Sequence, residues 1–237
     1  MRIMNGLKNK AWFRKFKRFI KQVAGQDVWY SPQIKVNTIR HGDWCFIPDE
    51  LTSESIIYSL GVGEDIIFDV EIIKEFNLYV EAFDPTPNSI EWLKSTSTPE
   101  NFRFHPYGIS NQDDHLKLYP LVIKGKKSKS MFTLNNECGS DEGDFVEIPV
   151  KKLSTIMKEL NHQKIDILKM DIEGAEYDVI EDLLESNLDV KQLLVEFHHR
   201  FETIGKKKSE DIIKKLNENG YKIFFISEKG REYSFVK

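Results

Sequence analysis

The stretch Ile165–Tyr177 constrains the fold of this chain more than any other part of it. It begins with a largely apolar run and continues with Asp171, Glu173 and Gly174, after which a helical pattern begins. An apolar run bounded by acids and a glycine predicts a buried strand, and the pattern after it predicts a helix. Ligands of open α/β sheets bind beyond the carboxyl ends of the strands. The stretch therefore predicts an α/β fold with acidic side chains at the ligand-binding edge.

The same alternation of strands and helices recurs along the chain. Strands are predicted at residues 56–60, 78–83, 102–109, 165–170 and 192–197. Helices are predicted at residues 64–76, 88–95, 153–161, 175–186 and 207–218. Strands separated by helices form βαβ units and a mostly parallel sheet. We therefore predict one sheet domain over residues 51–237.

Four further segments are predicted around this alternation. Residues 221–227 and 232–236 form a terminal hairpin, and residues 115–123 and 145–150 are strands that extend an edge of the sheet in antiparallel fashion. The polar segment 124–144 between the latter two reads as a long mobile loop, because loops of this length are often lids or disordered segments. Residues 1–50 form an N-terminal extension with a hairpin around His41-Gly42-Asp43.

Composition narrows the class of protein. The sequence has no apolar run of about 18 residues and no signal-peptide pattern, so neither a transmembrane helix nor secretion is expected. Cys45 and Cys138 lie far apart and outside any C-x-x-C pattern. Their positions indicate a reducing compartment and no zinc site. We therefore expect a cytoplasmic protein.

Charge is distributed unevenly along the chain. The first 24 residues contain eight lysines and arginines and no acid, which leaves 26 basic against 38 acidic residues in the remainder. An acidic body argues against nucleic acid as a partner. The basic segment also carries apolar residues at near-helical spacing. It predicts a helix that either packs its apolar face on the domain, which is the commoner case, or lies on the inner, anionic face of a membrane through residues 1–24.

A glycine turn predicts a nucleoside-binding site. Gly61 and Gly63 follow a predicted strand and precede a predicted helix, the context in which a ligand approaches the backbone closely. Asp84 lies 21 residues after Gly63, at the end of the next strand, where an acid can accept hydrogen bonds from ribose hydroxyls. The alternative is that the two glycines only make a tight connection.

The acids after this turn favour one class of ligand. Glu64 and Asp65 would stabilise the start of a helix, and they would repel the pyrophosphate of a dinucleotide. The third glycine of the dinucleotide fingerprint is also missing, because Ile66 stands there. S-adenosylmethionine contains an adenosine, two cationic groups and no phosphate, so these acids suit it. An NAD-dependent oxidoreductase is correspondingly disfavoured.

A second cluster of ionisable groups is predicted where two strands end. Glu196 and His198 would share one face at the end of their strand, and they would meet Asp171 and Glu173 if the two strands are neighbours. Such a set can deprotonate a hydroxyl, or it can hold a divalent metal through Asp171, Glu196 and His198. The alternative is that the acids cap the helix and His198 is a core residue. Glu176, one helical turn further, is predicted to be structural.

Together, these motifs resemble the FkbM-type family of S-adenosylmethionine-dependent methyltransferases. The resemblance rests on residues 166–176, 60–65, 82–85 and 108–110, and it extends over about residues 55–230. It implies a Rossmann-like, seven-stranded, mostly parallel sheet with a terminal antiparallel hairpin and helices on both faces. It also implies methylation of a hydroxyl on a glycan or related small molecule.

The resemblance assigns roles to individual residues. Gly61 and Gly63 would line the cofactor, and Asp84 would bind its ribose; Glu64, directly after the turn, is a further cofactor-binding candidate from its position and charge. Ile109 and Ser110 would lie near the adenine, whereas Asp171 and Glu173 would lie near the methionine end or the acceptor. The alternative function is a non-catalytic binding or scaffold protein of a glycan-assembly complex, which the atypical glycine turn favours.

Overall fold

A computed structural model describes residues 11–123, 126–133, 145–201 and 204–237 of the chain. Arg2, Lys8 and Lys10 of the basic segment lie outside the described residues, as do Cys138 and much of the predicted loop 124–144. Within the described part, no helix is long and apolar enough to cross a membrane.

A seven-stranded sheet forms the centre of the molecule. Its strands are β3 (Ile56–Leu60), β4 (Tyr79–Phe83), β5 (Phe102–His105), β10 (Ile165–Met170), β11 (Val190–Glu196), β12 (Lys222–Ile226) and β13 (Glu232–Val236). The order is β12-β13-β11-β10-β3-β4-β5. The pairs β4–β5, β3–β4, β3–β10 and β10–β11 are parallel, whereas β13 is antiparallel to both β11 and β12. The predicted mostly parallel sheet with a terminal antiparallel hairpin is confirmed.

Helices cover both faces of this sheet. They are α2 (Ile67–Phe76), α3 (Pro87–Ser95), α4 (Leu153–Glu159), α5 (Glu176–Glu185) and α6 (Gly205–Glu218). Alternate strand residues enter two different cores: Leu168 packs with α4, α5 and α6, whereas its neighbour Ile167 packs with α2. This division follows from the alternation of side chains across a strand. The two hydrophobic faces explain why β10 is buried at every position.

A separate sheet of four strands replaces the predicted additions at an edge. It contains β6 (Gly108–Ile109), β7 (Asp114–Ile123), β8 (Lys126–Thr133) and β9 (Val146–Lys151), in the order β6-β9-β7-β8. Two further predictions are wrong. The strand 102–109 is interrupted between β5 and β6, and part of the predicted loop 124–144 is β8, which pairs antiparallel with β7.

The N-terminal extension contains a helix, α1 (Ala11–Val23), and the short hairpin β1 (Ile39–His41) and β2 (Trp44–Phe46). The hairpin is confirmed, and Gln192 of β11 fixes it through hydrogen bonds with the backbone of Ile47. The favoured packing of α1 is wrong, because its basic face contacts the domain. Arg18 donates to the carbonyl of Tyr30 and to the Tyr233 hydroxyl, at 3.2 and 3.4 Å.

Candidate active site

The glycine turn after β3 is held against the end of β10. Gly61 has a φ of +73°, and a Cβ added to it would lie 1.7 Å from the carbonyl oxygen of Asp171. A side chain is therefore excluded here by contact as well as by conformation. Behind the turn, the buried Lys169 of β10 donates to the Gly61 carbonyl at 3.3 Å. The ends of β3 and β10 thus approach as closely as the backbone allows.

Asp84, at the end of β4, closes the turn from the other side. Its Oδ2 accepts a hydrogen bond from the Gly63 N–H at 2.8 Å. Its Oδ1 accepts from the Thr86 N–H at 2.8 Å and from the Thr86 hydroxyl at 2.6 Å. A carboxylate oxygen has two lone pairs, so Oδ2 can still accept from a ligand hydroxyl.

The turn, Asp84 and the end of β10 surround a pocket with a volume of about 340 Å³. We call it the acidic pocket, because the described residues that line it include five carboxylates and no lysine, arginine or histidine. The acids are Glu64, Asp65, Asp84, Asp171 and Glu173. Such a lining lowers the free energy of a bound cation and raises that of a phosphate. Beside Gly63 the space is open, since an added Cβ would meet no atom of the described residues within 4 Å.

The second sheet supplies an apolar wall on the opposite side of the acidic pocket. The wall consists of Ile109, Leu118, Phe132, Ile148 and Val150. Of these, only Ile109 was predicted as a site residue. The alternating apolar residues of β7 and β9 were a signal for strands, but no local pattern indicates that strands from a second sheet cover a pocket of the first.

The loop after β10 is built around Glu176. Its fully buried carboxylate accepts hydrogen bonds from the N–H groups of Ile172 and Gly174, at 2.9 and 3.0 Å. Glu173, between them, adopts a left-handed φ of +51°, which is uncommon for a residue other than glycine. The contacts of Glu176 therefore shape the loop that presents Asp171 and Glu173 to the acidic pocket.

His198 is surrounded by carboxylates. Its Nδ1 lies 3.0 Å from Glu176 Oε1, and its Nε2 lies 3.2 Å from Glu173 Oε2 and 3.7 Å from Asp171 Oδ1. Burial alone would lower the pKa of His198, but Glu176 and Glu173 raise it well above its ordinary value. An imidazolium cannot accept a proton. The predicted role of His198 as a base is therefore disfavoured, and it is placed to hold the two glutamates together.

Asp171 and Glu196 have pKa values in the physiological range. Burial raises the pKa of Asp171 to about 6 and that of Glu196 to about 7, and the repulsion between carboxylates adds to the effect. Perturbed pKa values of this kind cluster at functional sites. Asp171, Glu196 and His198 also bring one ligand atom each within 4.8 Å of one another, close enough to share a metal ion. His198 would have to lose its proton to become a ligand.

The structure brings most of the predicted site residues together. Gly61, Gly63, Glu64, Asp84, Ile109, Asp171 and Glu173 all line the acidic pocket. His198 lies behind Asp171 and Glu173 and does not line it. Ser110 does not line it either: it is buried, and its N–H donates to the carbonyl of Lys151. The roles of these residues stay predictions.

Known proteins are similar to this chain in sequence. The human protein "Probable methyltransferase-like protein 24" is 30% identical over 179 residues, which are 71% of this chain and 41% of that protein. The rat protein of the same name is 29% identical over 184 residues, which are 73% of this chain and 43% of the rat protein. The chain thus spans less than half the length of these relatives.

Among solved structures, the Methanococcus jannaschii fibrillarin pre-rRNA processing protein aligns with a TM-score of 0.45 and 12% sequence identity. The alignment covers 88% of this chain and 85% of the fibrillarin chain. The family described as the methyltransferase FkbM domain matches residues 60–223. That range contains the glycine turn, Asp84 and the acids after β10. The chain belongs to the FkbM methyltransferase domain family.

Proposed function

We propose that this chain is an S-adenosylmethionine-dependent O-methyltransferase that acts on a hydroxyl group of a glycan or related small molecule. The observation that carries the proposal is the acidic pocket itself, which opens onto Asp171 in a chain of a methyltransferase family. The cofactor supplies a methyl group on a sulfonium cation, which is the electrophile in the reaction.

The shape and polarity of the acidic pocket fit the adenosine part of this cofactor. Asp84 is placed to accept hydrogen bonds from ribose hydroxyls, because one lone pair of its Oδ2 is not used by Gly63. The apolar wall that includes Ile109 and Phe132 suits a planar base. One side of the acidic pocket therefore suits a sugar, and the other suits an aromatic ring.

The charge of the acidic pocket favours the sulfonium cofactor over NAD. The carboxylates of Glu64, Asp65 and Glu173 favour a cationic ligand over a phosphate. A dinucleotide would place its pyrophosphate against these acids, at the turn where its fingerprint glycine is replaced by Ile66. The two cationic groups of S-adenosylmethionine are attracted by the same acids.

Asp171 is the residue best placed to accept the proton of the acceptor hydroxyl. It lines the acidic pocket, its side chain is 35% exposed, and its pKa of about 6 leaves it ionised at neutral pH. His198 acts behind it as a positioning residue, since it contacts Glu173 and Glu176. Proximity and alignment of the acceptor supply the rest of the rate enhancement.

A divalent metal is the alternative use of the same cluster, and the convergence of Asp171, Glu196 and His198 within 4.8 Å favours it. A metal would orient the acceptor hydroxyl and lower its pKa. Turnover that is lost with a chelator and restored by Mg²⁺ or Mn²⁺ would support the metal. Turnover that a chelator does not change would support Asp171 as the base.

Calorimetry with S-adenosylmethionine and its demethylated product is the direct test of the proposal. We expect both to bind, and we expect Asp84→Ala to abolish binding because it removes the acceptor beside Gly63. Asp178→Ala, on the exposed face of α5, is the matched control. Absence of binding by both compounds would contradict the proposal. Binding without turnover on any acceptor would favour the scaffold alternative.

A further inference from the structure

A second cavity, with a volume of about 320 Å³, lies between α1 and the carboxyl edge of the central sheet. We call it the basic groove, because seven of its eight lining residues are lysine or arginine. Four come from α1: Arg14, Lys17, Arg18 and Lys21. Three come from the loops after β11 and β12: Arg200, Lys229 and Arg231.

The cations of the sheet edge form close ion pairs with acids, whereas Lys21 of α1 is attracted by Asp27 without a close ion pair among the described residues. Arg200 pairs with Asp27 at 2.6 Å, and Arg231 pairs with Glu196 at 2.7 Å. Within the described part of the chain, no ion pair involves Arg14, Lys17 or Lys21. Like charges brought together in this way repel one another, and a bound anion would relieve the repulsion.

Two further observations indicate that the basic groove takes an anion. Arg18 lines the basic groove, and its guanidinium is held in place there because it donates to the Tyr30 carbonyl and the Tyr233 hydroxyl. Lys21 is partly buried beside Arg200, and burial and this neighbour lower its pKa. Phosphate groups are the ligands that such clusters of arginine and lysine recognise.

The basic groove adjoins the active-site cluster. Arg231, in its lining, contacts Glu196, and Glu196 has a ligand atom within 4.8 Å of those of Asp171 and His198. Both cavities therefore lie at the carboxyl edge of the sheet, one on each side of this cluster. We propose that the basic groove binds a phosphate or diphosphate group of the methyl acceptor. This inference rests on the proposed function for the identity of the acceptor.

Calorimetry with inorganic pyrophosphate tests the basic groove without any acceptor. We expect the full chain to bind pyrophosphate, and we expect Lys21→Met to weaken binding about tenfold, because one charge-assisted contact is lost. Lys94→Met removes an exposed lysine of α3 and is the matched control. No binding, or equal binding by the wild type and Lys21→Met, would overturn the inference.

A second measurement tests the link to the acceptor. A small-molecule extract serves as the source of the acceptor, and it is supplied either untreated or treated with alkaline phosphatase. The release of S-adenosylhomocysteine is measured with each extract. If phosphatase treatment abolishes turnover, the acceptor is phosphorylated, as the inference requires. Equal turnover on both extracts would overturn the inference that the acceptor carries a phosphate. If neither extract is turned over, the proposed function is contradicted, and the pyrophosphate measurement still decides the basic groove.

The outward face of α1 carries a second inference. Trp12, Phe16, Phe19, Ile20 and Val23 lie on this face, and each is at least 50% exposed. Trp29 extends the patch, since its ring centroid lies 6.1 Å from that of Phe19. Exposed apolar patches of this kind mark interaction surfaces.

The charges around this patch identify its partner. Lys15 and Lys17 are exposed on the same helix, so an apolar strip is flanked by cations. Aromatic residues combined with lysine are typical of helices that lie in the interface of an anionic membrane. We propose that α1 binds the surface of an anionic membrane through this face.

Co-sedimentation with vesicles tests this second inference. The full chain should bind vesicles of phosphatidylcholine and phosphatidylglycerol, and a Trp12→Ser/Phe16→Ser/Phe19→Ser variant should bind at least about tenfold more weakly. Ile67→Ser, at an exposed apolar position of α2, is the control. Equal partitioning of the triple variant would overturn the inference. The inference would also be overturned if the wild type bound no vesicles and instead formed a dimer that the triple variant does not form.

Discussion

The acidic pocket and the basic groove share one edge of the central sheet, and they differ in charge and in origin. The five carboxylates of the acidic pocket follow β3, β4 and β10. The basic groove combines α1, which ends at Val23, with loops more than 170 residues further along the chain, which contribute Arg200, Lys229 and Arg231.

The comparison shows that acidic and basic side chains are segregated into two neighbouring regions of the same sheet edge. Glu196 marks the border, because it contacts Arg231 on one side and lies near Asp171 on the other. We infer that the acidic pocket is shaped by the backbone and by buried hydrogen bonds, whereas Arg14, Lys17 and Lys21 of α1 contribute little to stability. Five predictions test this contrast.

The largest effect is expected at the glycine turn. Gly61→Ala would bring a Cβ to 1.7 Å from the Asp171 carbonyl at a φ of +73°, and we expect it to lower the free energy of unfolding by about 4 kcal/mol through overpacking and strain. Gly63→Ala has a similar φ but open space, so it should cost about 1 kcal/mol. Urea denaturation measures both. Equal losses would contradict the close approach of β3 and β10.

The next effect concerns the charge of the acidic pocket. Asp171→Asn should lower turnover by about a hundredfold and leave the affinity for S-adenosylmethionine within a few-fold, because it removes the proposed base. Steady-state kinetics and calorimetry measure the two quantities, with Asp178→Asn as the control. Normal turnover of Asp171→Asn would show that proton acceptance lies elsewhere.

The loop that presents Asp171 and Glu173 to the acidic pocket is tested by Glu176→Gln. The amide keeps one oxygen that can accept from Ile172, but its NH2 group replaces the oxygen that accepts from the Gly174 N–H, and the charge that faces His198 is lost. We expect the free energy of unfolding to fall by about 2 kcal/mol, since a buried charged hydrogen bond is lost. Glu181→Gln, on the exposed face of α5, should change it by less than about 0.5 kcal/mol. A loss at position 176 no larger than the control's would contradict its structural role.

The pH dependence of turnover sharpens the role of Asp171. Its pKa of about 6 means that the ionised form dominates above this pH and the protonated form below it. A base must be ionised, so turnover should fall about tenfold for each pH unit below 6 and level off above it. A profile that stays flat between pH 5 and 8 would contradict this assignment.

The smallest effect is expected in the basic groove. Lys21→Met removes a cation that lies among other cations, and we expect it to raise the free energy of unfolding by about 0.5 kcal/mol at low salt. The gain should shrink as salt screens the repulsion. A loss of stability would show that α1 is held by its cations, and the contrast between the two cavities would fail.

Much of the fold could be predicted from local patterns. Apolar runs and glycines predicted the central strands, and the sequence around Asp171 and Glu173 predicted the acids at the sheet edge. The second sheet escaped prediction because the segment that contains β8 is polar, and its strand pairing with β7 is a tertiary contact. The wall residue Phe132 was missed for the same reason.

Local sequence patterns specify the order of strands and helices, the glycine turn and the acids that follow β10, because these features depend on neighbours in the chain. Tertiary structure alone decided the protonation of His198, since Glu173 and Glu176 meet it only when β10 and β11 pair. It also decided which face of α1 meets the domain. Helical periodicity shows that a helix has two faces, but only the surface opposite it determines which of the two is buried.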